Sequence, residues 1–225
     1  MSGEPGDDVA PTVTGAPATD AAAALLGALV ARGVRHVVLS PGSRSQALAL
    51  VAAELERRGH VQLHVRVDER VAGFTALGIA RETRVPAAVV CTSGTAVANL
   101  LPAVLEAHHA GVPLLLLTAD RPPELRGVGA NQTTRQPGLF SSATRYAADL
   151  AVPEKSDPDG TSDATVTLRV VAAEAVDAAR GVGQWSAGPV HLNLPYREPL
   201  SGPLPAWLDA AIAASAQAAG GGSVD

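Results

Sequence analysis

Residues 86–96 read P-A-A-V-V-C-T-S-G-T-A, and residues 112–124 read V-P-L-L-L-L-T-A-D-R-P-P-E. Each stretch is a continuously apolar run of strand length that is followed by glycine, proline or small polar residues. A strand that is apolar at every position is buried on both faces, which is typical of parallel sheets covered by helices. The two stretches therefore predict central strands of a parallel sheet, each ending in a polar loop.

Segments of strand length and helix length alternate on both sides of these runs. We expect strands at residues 35–39, 62–67, 87–91, 113–118, 143–150 and 189–192. We expect helices at residues 20–32, 43–58, 68–81, 94–109 and 162–180. Such alternation predicts an α/β fold with a doubly wound, mainly parallel sheet and helices on both faces.

The two ends of the chain differ from this alternating region. Residues 1–18 are rich in Gly, Pro, Thr and Ala without an apolar period, so we expect a disordered leader, followed by a helix that Asp20 caps. We expect one domain over residues 19–200. Residues 201–225 contain an alanine-rich helix candidate at 206–219 and then three glycines, which we interpret as a linker or the start of a further domain.

The composition excludes several classes of protein. The 225 residues are 47% hydrophobic and carry a net charge of −5, so the sequence has enough apolar residues for a core and no basic excess for nucleic acid or an anionic membrane. No apolar run approaches the roughly 20 residues that span a bilayer. The single cysteine, Cys91, excludes an intramolecular disulfide and a cysteine zinc cluster. We expect a soluble, cytoplasmic protein.

Several familiar site signatures are absent from the sequence. It contains no P-loop, no G-x-G-x-x-G, no H-E-x-x-H and no G-x-S-x-G. Its six histidines show no paired spacing, so we predict no metal site in this chain. Ligands of doubly wound folds bind at the carboxyl ends of the strands, which makes the loops after the strands the candidate site.

Glu69 and the turn at residues 40–45 are the first candidates. Glu69 follows the second predicted strand and opens a helix, although an acid there also simply complements the helix dipole. The turn S-P-G-S-R-S contains Gly42, which permits a tight turn, and Arg44, whose planar cation suits carboxylate or phosphate. The alternative for this turn is that Ser43 only caps the following helix and that Arg44 is solvated.

Two later loops carry further candidates. Residues 92–96, T-S-G-T-A, form a turn whose glycine lets a ligand approach the backbone. Residues 120–124 place Arg121 beside two prolines that stiffen the loop. Asn131 and Gln132 follow in an irregular segment of roughly 20 residues, a length that is usually functional in a compact domain.

Taken together, these motifs resemble one family. S-P-G-S-R-S, D-E-R-V-A-G-F, T-S-G-T-A-V-A-N-L and T-A-D-R-P-P-E-L with G-A-N-Q-T resemble, in order, the thiamine-diphosphate-dependent 2-succinyl-5-enolpyruvyl-6-hydroxy-3-cyclohexene-1-carboxylate synthases of menaquinone biosynthesis. The closing G-P-V-H-L-N-L-P-Y-R-E-P-L is similar to the end of that family's first domain. The resemblance covers residues 19–200 and implies the domain that binds the cofactor's aminopyrimidine ring.

The resemblance also implies an activity and residue roles. The family decarboxylates 2-oxoglutarate and adds the succinyl unit to isochorismate. It implies that Glu69 is catalytic and hydrogen-bonds N1′ of the aminopyrimidine. Implied cofactor contacts are Glu69, Thr92, Ser93, Gly94 and Thr95. The residues implied to face isochorismate are Ser43, Arg44, Arg121, Asn131 and Gln132.

The implied cofactors are thiamine diphosphate and Mg²⁺. In the family, a G-D-G…N motif of a later domain anchors the diphosphate and the metal, and no G-D-G occurs in these 225 residues. Either this chain is therefore the N-terminal part of a longer enzyme, or a separate polypeptide supplies the remaining domains. The resemblance implies that the complete enzyme is a homo-oligomer and that this chain carries half of an active site.

Two other interpretations stay open. Another thiamine-diphosphate decarboxylase or an acetohydroxyacid synthase would share D-E-R-x-A-G-F, although the Arg121 loop argues against it. A non-catalytic binding module derived from such a domain would explain the missing G-D-G, although the intact Glu69 argues against it. Each interpretation predicts small-molecule ligands and neither nucleic-acid nor membrane partners.

Overall fold

A computed structural model of the chain describes residues 15–183 and 185–213. Its helices are α1 (Pro17–Ala31), α2 (Gln46–Arg57), α3 (Glu69–Thr83), α4 (Thr95–Ala98), α5 (Leu101–Ala110) and α6 (Asp163–Arg180). Its strands are β1 (His36–Leu39), β2 (Gln62–Val65), β3 (Ala87–Cys91), β4 (Leu114–Asp120), β5 (Tyr146–Asp149) and β6 (Pro189–Pro195). Within the described ranges, no helix is both long enough and apolar enough to cross a bilayer.

The strands form a parallel sheet with the order β2-β1-β3-β4-β6-β5. The chain moves outward from β1 to β2 and then returns past β1 to β3, so the direction of winding reverses between β1 and β3. This confirms the predicted doubly wound parallel sheet. In such sheets, the crevice at the reversal is the place where ligands bind.

Alternate side chains of the central strands pack into two separate cores. In β4, Leu115 and Leu117 join the core formed with α1, α2 and α6. Leu114 and Leu116 point to the opposite face and join α3, α4 and α5. Both β3 and β4 are buried at every position, as their unbroken apolar sequences predict.

Most element boundaries agree with the predictions to within a few residues, and β3 agrees at both ends. The strands β4 and β6 are longer than predicted, because they pair along their full length from Leu114 opposite Pro189 to Asp120 opposite Pro195. This extension carries Asp120 into the buried edge of the sheet, where it is 0% exposed.

The predicted helix at residues 94–109 is wrong in one respect, because it consists of two helices, α4 and α5. Pro102 lies in the first turn of α5. It has no N–H to donate to the Ala98 carbonyl, and its ring crowds that group, so a continuous helix cannot form there. The Asn99 side-chain amide instead donates to the Thr95 carbonyl at 3.1 Å.

The first helix begins earlier than expected. It starts at Pro17, so residues 17 and 18 are helical and Asp20 lies within the first turn instead of capping it. Proline suits this position because the first helical N–H groups have no partner. Asp20 is buried and accepts a hydrogen bond from the Asp157 N–H at 2.8 Å. Residues 15 and 16 of the expected leader are also described, and Ala16 is buried. Residues 1–14 lie outside the described residues.

Residues 201–213, which we interpreted as part of a linker or of a further domain, pack against the domain that precedes them. Trp207 and Leu208 are buried in the core that contains α1. The Trp207 indole N–H donates to the Asp157 carbonyl at 2.7 Å. Residues 208–213 are helical, and the rest of the helix candidate lies outside the described residues.

Replacing Trp207 with alanine should lower the free energy of unfolding by about 3–5 kcal/mol, because it removes a buried indole and leaves a buried carbonyl without its donor. Urea denaturation followed by circular dichroism measures the change. Trp185→Ala is the matched control, since that indole is fully exposed, and it should change stability by less than about 0.5 kcal/mol. Equal effects of the two substitutions would contradict the packing of residues 201–213.

Candidate active site

The turn after β1 lies directly against the end of β3. A Cβ atom at Gly42 would lie 2.3 Å from the Thr92 Cβ, so only glycine fits at this position. The two strands pair in parallel with Leu39 opposite Val90, which brings their carboxyl ends side by side. The predicted 40–45 turn and 92–96 loop therefore form one site at the reversal of winding.

Arg44 is held by the protein, and the interpretation that it is solvated is wrong. Its side chain is 11% exposed. Its Nη1 donates to the Tyr196 carbonyl at 3.0 Å and lies 3.6 Å from Glu198 Oε1. Its Nε is buried and has no partner among the described residues. The cation is thus fixed mainly by a neutral carbonyl group.

The suggestion that Ser43 caps α2 is also wrong. The N-cap position belongs to Ser45, whose hydroxyl donates to the Gly42 carbonyl at 3.1 Å and makes no capping bond. Ser43 is exposed. Its side chain makes no hydrogen bond within residues 15–183 and 185–213, which leaves its hydroxyl available at the rim of the site.

Arg121, Ser93 and Gln132 meet beside this turn. Arg121 Nη1 donates to the Ser93 hydroxyl, which in turn donates to the Gln132 carbonyl at 3.2 Å. The Gln132 side-chain amide donates back to the Ser93 carbonyl at 3.2 Å. The structure therefore joins three predicted site residues that come from separate loops.

The two arginines of the site influence one another. Burial, and then the positive charge of Arg44, lower the pKa of Arg121. Neither guanidinium makes its hydrogen bond to a carboxylate, since Arg44 binds a carbonyl and Arg121 a hydroxyl. The hydrogen bonds of these two partly buried cations go to neutral groups, and Glu198 lies 3.6 Å from Arg44. The two cations can therefore attract a further anion, and their planar groups suit a carboxylate.

Gly94 allows the β3 loop to turn into the site. Its φ is +86°, a left-handed conformation that other residues rarely adopt. A Cβ atom there would lie 3.0 Å from the Gln132 carbonyl oxygen. In the same loop the Thr92 side chain is buried, with a hydroxyl that lacks a partner in the described part of the chain. Thr95 is exposed at the start of α4.

Glu69 lies at the first position of α3, as predicted. The capping role belongs to its neighbour Asp68, whose carboxylate accepts the Val71 N–H at 3.0 Å. Glu69 has no hydrogen-bond or ion-pair partner among the residues that the structure describes. Burial and the nearby Glu69 carboxylate raise the pKa of the Cys91 thiol at the end of β3. Glu69 follows β2, which pairs in parallel with β1 as β1 does with β3, so it lies at the carboxyl edge of the same sheet. As a first-turn acid it also complements the dipole of α3.

Asn131 lies apart from these contacts, as do Ser43, Glu69 and Thr95, whose side chains make no hydrogen bond among the described residues. Asn131 is exposed, and its carbonyl accepts the Thr133 hydroxyl at 3.2 Å. Its side chain makes no hydrogen bond within the described ranges. Those ranges also contain no group of three His, Cys, Asp or Glu side chains that could hold a metal ion.

The sequence interpretation missed Gln136 and Asn193, which are buried beneath the site. Asn193 was detectable, because it is an amide between two leucines of a strand whose only other polar side chain is that of His191, and such a group requires buried partners. Gln136 follows no hydrophobic period and gave no signal in the sequence.

Replacing Gly42 with alanine should destabilise the chain by about 1–3 kcal/mol, because the new methyl group overlaps Thr92 and forces the two loops apart. Gly78→Ala is the matched control, since a Cβ atom there meets nothing within 4 Å. It should stabilise α3 by about 0.5–1 kcal/mol. Urea denaturation measures whether each variant raises or lowers the free energy of unfolding. An unchanged free energy of unfolding in Gly42→Ala would contradict the contact between the turn after β1 and the end of β3.

Comparison with known proteins agrees with this geometry. Residues 19–139 match the family described as thiamine pyrophosphate enzyme, N-terminal TPP binding domain. The chain is also similar to curated proteins named 2-succinyl-5-enolpyruvyl-6-hydroxy-3-cyclohexene-1-carboxylate synthase. It is 61% identical to the protein of Leifsonia xyli subsp. xyli over 85% of this chain and 32% of the relative.

Two further relatives with the same name show similar values. The identity is 57% with the protein of Clavibacter michiganensis subsp. michiganensis, over 85% of this chain and 31% of the relative. It is 55% with the protein of Kineococcus radiotolerans, over 82% of this chain and 32% of the relative. The chain thus spans about a third of the length of these relatives. The parallel sheet, the glycine turns at its carboxyl edge and the family match lead to one conclusion: the chain belongs to the thiamine pyrophosphate enzymes, as their N-terminal TPP-binding domain.

Proposed function

We propose that this chain is the N-terminal third of a 2-succinyl-5-enolpyruvyl-6-hydroxy-3-cyclohexene-1-carboxylate synthase. This transferase decarboxylates 2-oxoglutarate and adds the succinyl unit to isochorismate, with release of CO₂. The observation that carries the proposal is the meeting of Arg121, Ser93 and Gln132 beside Arg44. The identity of 55–61% to proteins of that name supports the same choice of substrates.

The residues present fit the aminopyrimidine end of thiamine diphosphate. Among the described residues, neither the Glu69 carboxylate, at the carboxyl edge of the sheet, nor the buried Thr92 hydroxyl has a hydrogen-bond partner. We assign to Glu69 a hydrogen bond with N1′ of the aminopyrimidine, with the shared proton held at its carboxyl oxygen, and we assign cofactor contacts to the 92–95 loop. The cofactor, when bound, supplies the electron sink that decarboxylation of a 2-oxo acid needs.

The arginine pair fits isochorismate, which carries two carboxylates. Arg44 and Arg121 each offer a planar guanidinium that can donate two parallel hydrogen bonds to one carboxylate. Their hydrogen bonds go to neutral protein groups, and the exposed Glu198 carboxylate, 3.6 Å from Arg44, offsets their charge only in part. We propose that the Gln132 amide, and the exposed Ser43 and Asn131 at the rim, face the same substrate.

The diphosphate and Mg²⁺ require groups from elsewhere. The sequence has no G-D-G motif, and the described residues contain no candidate metal cluster. We propose that a later domain, within the two thirds of the relatives that this chain does not cover, binds both. We further propose that the complete enzyme is a cytoplasmic homo-oligomer. In support, α3 exposes 50% of Val71 and 43% of Phe74 close to Glu69, beside a surface cavity of 390 Å³.

Glu69→Gln in the full-length enzyme should slow deprotonation at C2 of the bound cofactor by about 10²–10⁴-fold, because an amide cannot hold the shared proton. Hydrogen–deuterium exchange at C2 measures this rate. Asp68→Asn is the control, since it removes the adjacent carboxylate and keeps an oxygen that can cap α3. If Glu69→Gln exchanged as fast as the wild type, the role assigned to Glu69 would be wrong.

Arg121→Lys should impair the use of isochorismate more than the decarboxylation of 2-oxoglutarate, because lysine offers no planar two-point contact. We expect kcat/KM for isochorismate to fall by a factor that corresponds to a loss of about 1.5–3 kcal/mol in transition-state stabilisation. The two partial reactions are measured separately by CO₂ release and by product formation. Arg81→Lys on the exposed face of α3 should leave both unchanged. Equal loss of both reactions in Arg121→Lys would show that this arginine does not select isochorismate.

A further inference from the structure

We propose that Gln136 is a positioning residue that fixes the place where Arg121, Ser93 and Gln132 meet. Gln136 is 0% exposed and lies below the loops, so it touches no ligand itself. The inference rests on the proposed function only for the identity of the substrate. The positioning follows from contacts among the residues of this chain.

The Gln136 side chain bonds three separate segments at once. Its Oε1 accepts the Gly94 N–H at 2.9 Å, which holds the turn after β3. Its Nε2 donates to the Ala119 carbonyl in β4 at 3.1 Å and to Asn193 Oδ1 in β6 at 2.8 Å. Because these groups are buried, removing the amide would take this partner from the Gly94 N–H and the Ala119 carbonyl, and would leave Asn193 Oδ1 with the Thr118 hydroxyl alone. Gln136 therefore fixes the β3 turn relative to both strands.

The Asn193 side-chain amide in turn uses its full hydrogen-bonding capacity. Its Oδ1 accepts from Gln136 and from the Thr118 hydroxyl at 3.0 Å. Its Nδ2 donates to Asp120 Oδ2 at 2.9 Å and to Asp149 Oδ1 at 2.8 Å. A primary amide has two donor and two acceptor positions, and all four are used here. The partner of Gln136 has no freedom to change its orientation.

The contacts return to the site through Asp120. Its Oδ1 accepts the Arg121 N–H at 2.7 Å. The Arg126 guanidinium lies 2.8 Å from Asp120 Oδ2 and donates to the Arg121 carbonyl at 3.1 Å. Both sides of the Arg121 backbone are thus held, and its side chain reaches Ser93. The path from Gln136 through Asn193 and Asp120 to Arg121, and back through Ser93 and Gly94, is a closed ring of contacts.

This ring predicts a selective effect on the substrate that the arginine site holds. Arg121 and Gln132 both contact Ser93. Their approach depends on Asp120, which holds the Arg121 backbone, and on the position of the turn at Gly94. A misplacement of about 1 Å in groups that orient a substrate can cost roughly 10²-fold in rate. Losing Gln136 should therefore weaken the use of isochorismate. The use of 2-oxoglutarate should change little, because we expect its site to depend less on Arg121 and Gln132.

Three variants test the proposal. Gln136→Met removes every polar contact and retains the approximate volume. Gln136→Glu, which burial against two acceptor oxygens keeps protonated, retains an acceptor for the Gly94 N–H and one O–H donor for the strands. Thr165→Val is the matched control, since Thr165 is buried and its hydroxyl bonds to Asp157, outside the ring. Amide hydrogen exchange at Gly94 in the 225-residue chain reports the turn. The KM for each substrate in the full-length enzyme reports the site.

We expect the rate of amide hydrogen exchange at Gly94 to rise at least about tenfold in Gln136→Met. In Gln136→Glu and in Thr165→Val the rate should stay within about twofold of the wild type. The variants are compared under conditions that give them the same global stability. We expect the KM for isochorismate to rise about tenfold in Gln136→Met, with the KM for 2-oxoglutarate changed less than about twofold. If Gln136→Met does not fold, lost Gly94 protection in Gln136→Glu overturns the proposal and retained protection supports it.

Two outcomes separate this proposal from the proposed function. Equal effects of Gln136→Met and Thr165→Val on Gly94 exchange and on both KM values would show that Gln136 is an ordinary core residue. A wild-type enzyme that does not use isochorismate would refute the proposed function. The Gly94 measurement on the chain would then still decide by itself whether Gln136 positions the turn.

Discussion

The site depends on the contact between Gly42 and Thr92, where the turn after β1 meets the end of β3 with no room for a side chain. That contact is possible because β1 and β3 are paired in parallel and β3 is buried on both faces. A shift of one residue along such a strand would turn its side chains to the wrong core, so the register is strongly fixed. The ends of β1, β3 and β4 therefore form one rigid edge that carries the functional loops.

The charges at this edge are arranged in two different ways. Arg126 is neutralised by Asp120 and Asp149. Burial alone would raise the pKa of Asp149, but the hydrogen bonds from Arg126 and Asn193 hold this pKa below its usual value. Arg44 and Arg121 instead hydrogen-bond to neutral groups. Arg126 thus belongs to the framework, whereas Arg44, which also lies 3.6 Å from the Glu198 carboxylate, and Arg121 are the two arginines to which we assign the anionic substrate.

The sequence predicted the parts of the molecule that follow a local rule. The strand β3 was predicted at both ends, because an unbroken apolar run is bounded by Pro86 and by the polar loop at Thr92. The position of Glu69 followed from the strand before it. Contacts between distant segments left no such pattern, since the burial of Asp20 requires Asp157 and that of Gln136 requires Gly94 and Asn193. Local pattern thus predicted the fold and the loops, and the network beneath the loops needed the structure.

We propose that this chain carries the aminopyrimidine half of a cofactor site, without the half that binds diphosphate and metal. Isothermal titration of the 225-residue chain with thiamine diphosphate, with and without Mg²⁺, tests it most directly. The diphosphate carries most of the cofactor's charge and requires a metal held by oxygen ligands, so we expect weak binding, roughly millimolar, that does not change when Mg²⁺ is added. Submicromolar binding that requires Mg²⁺ would contradict the claim, because it would demand a diphosphate anchor within this chain.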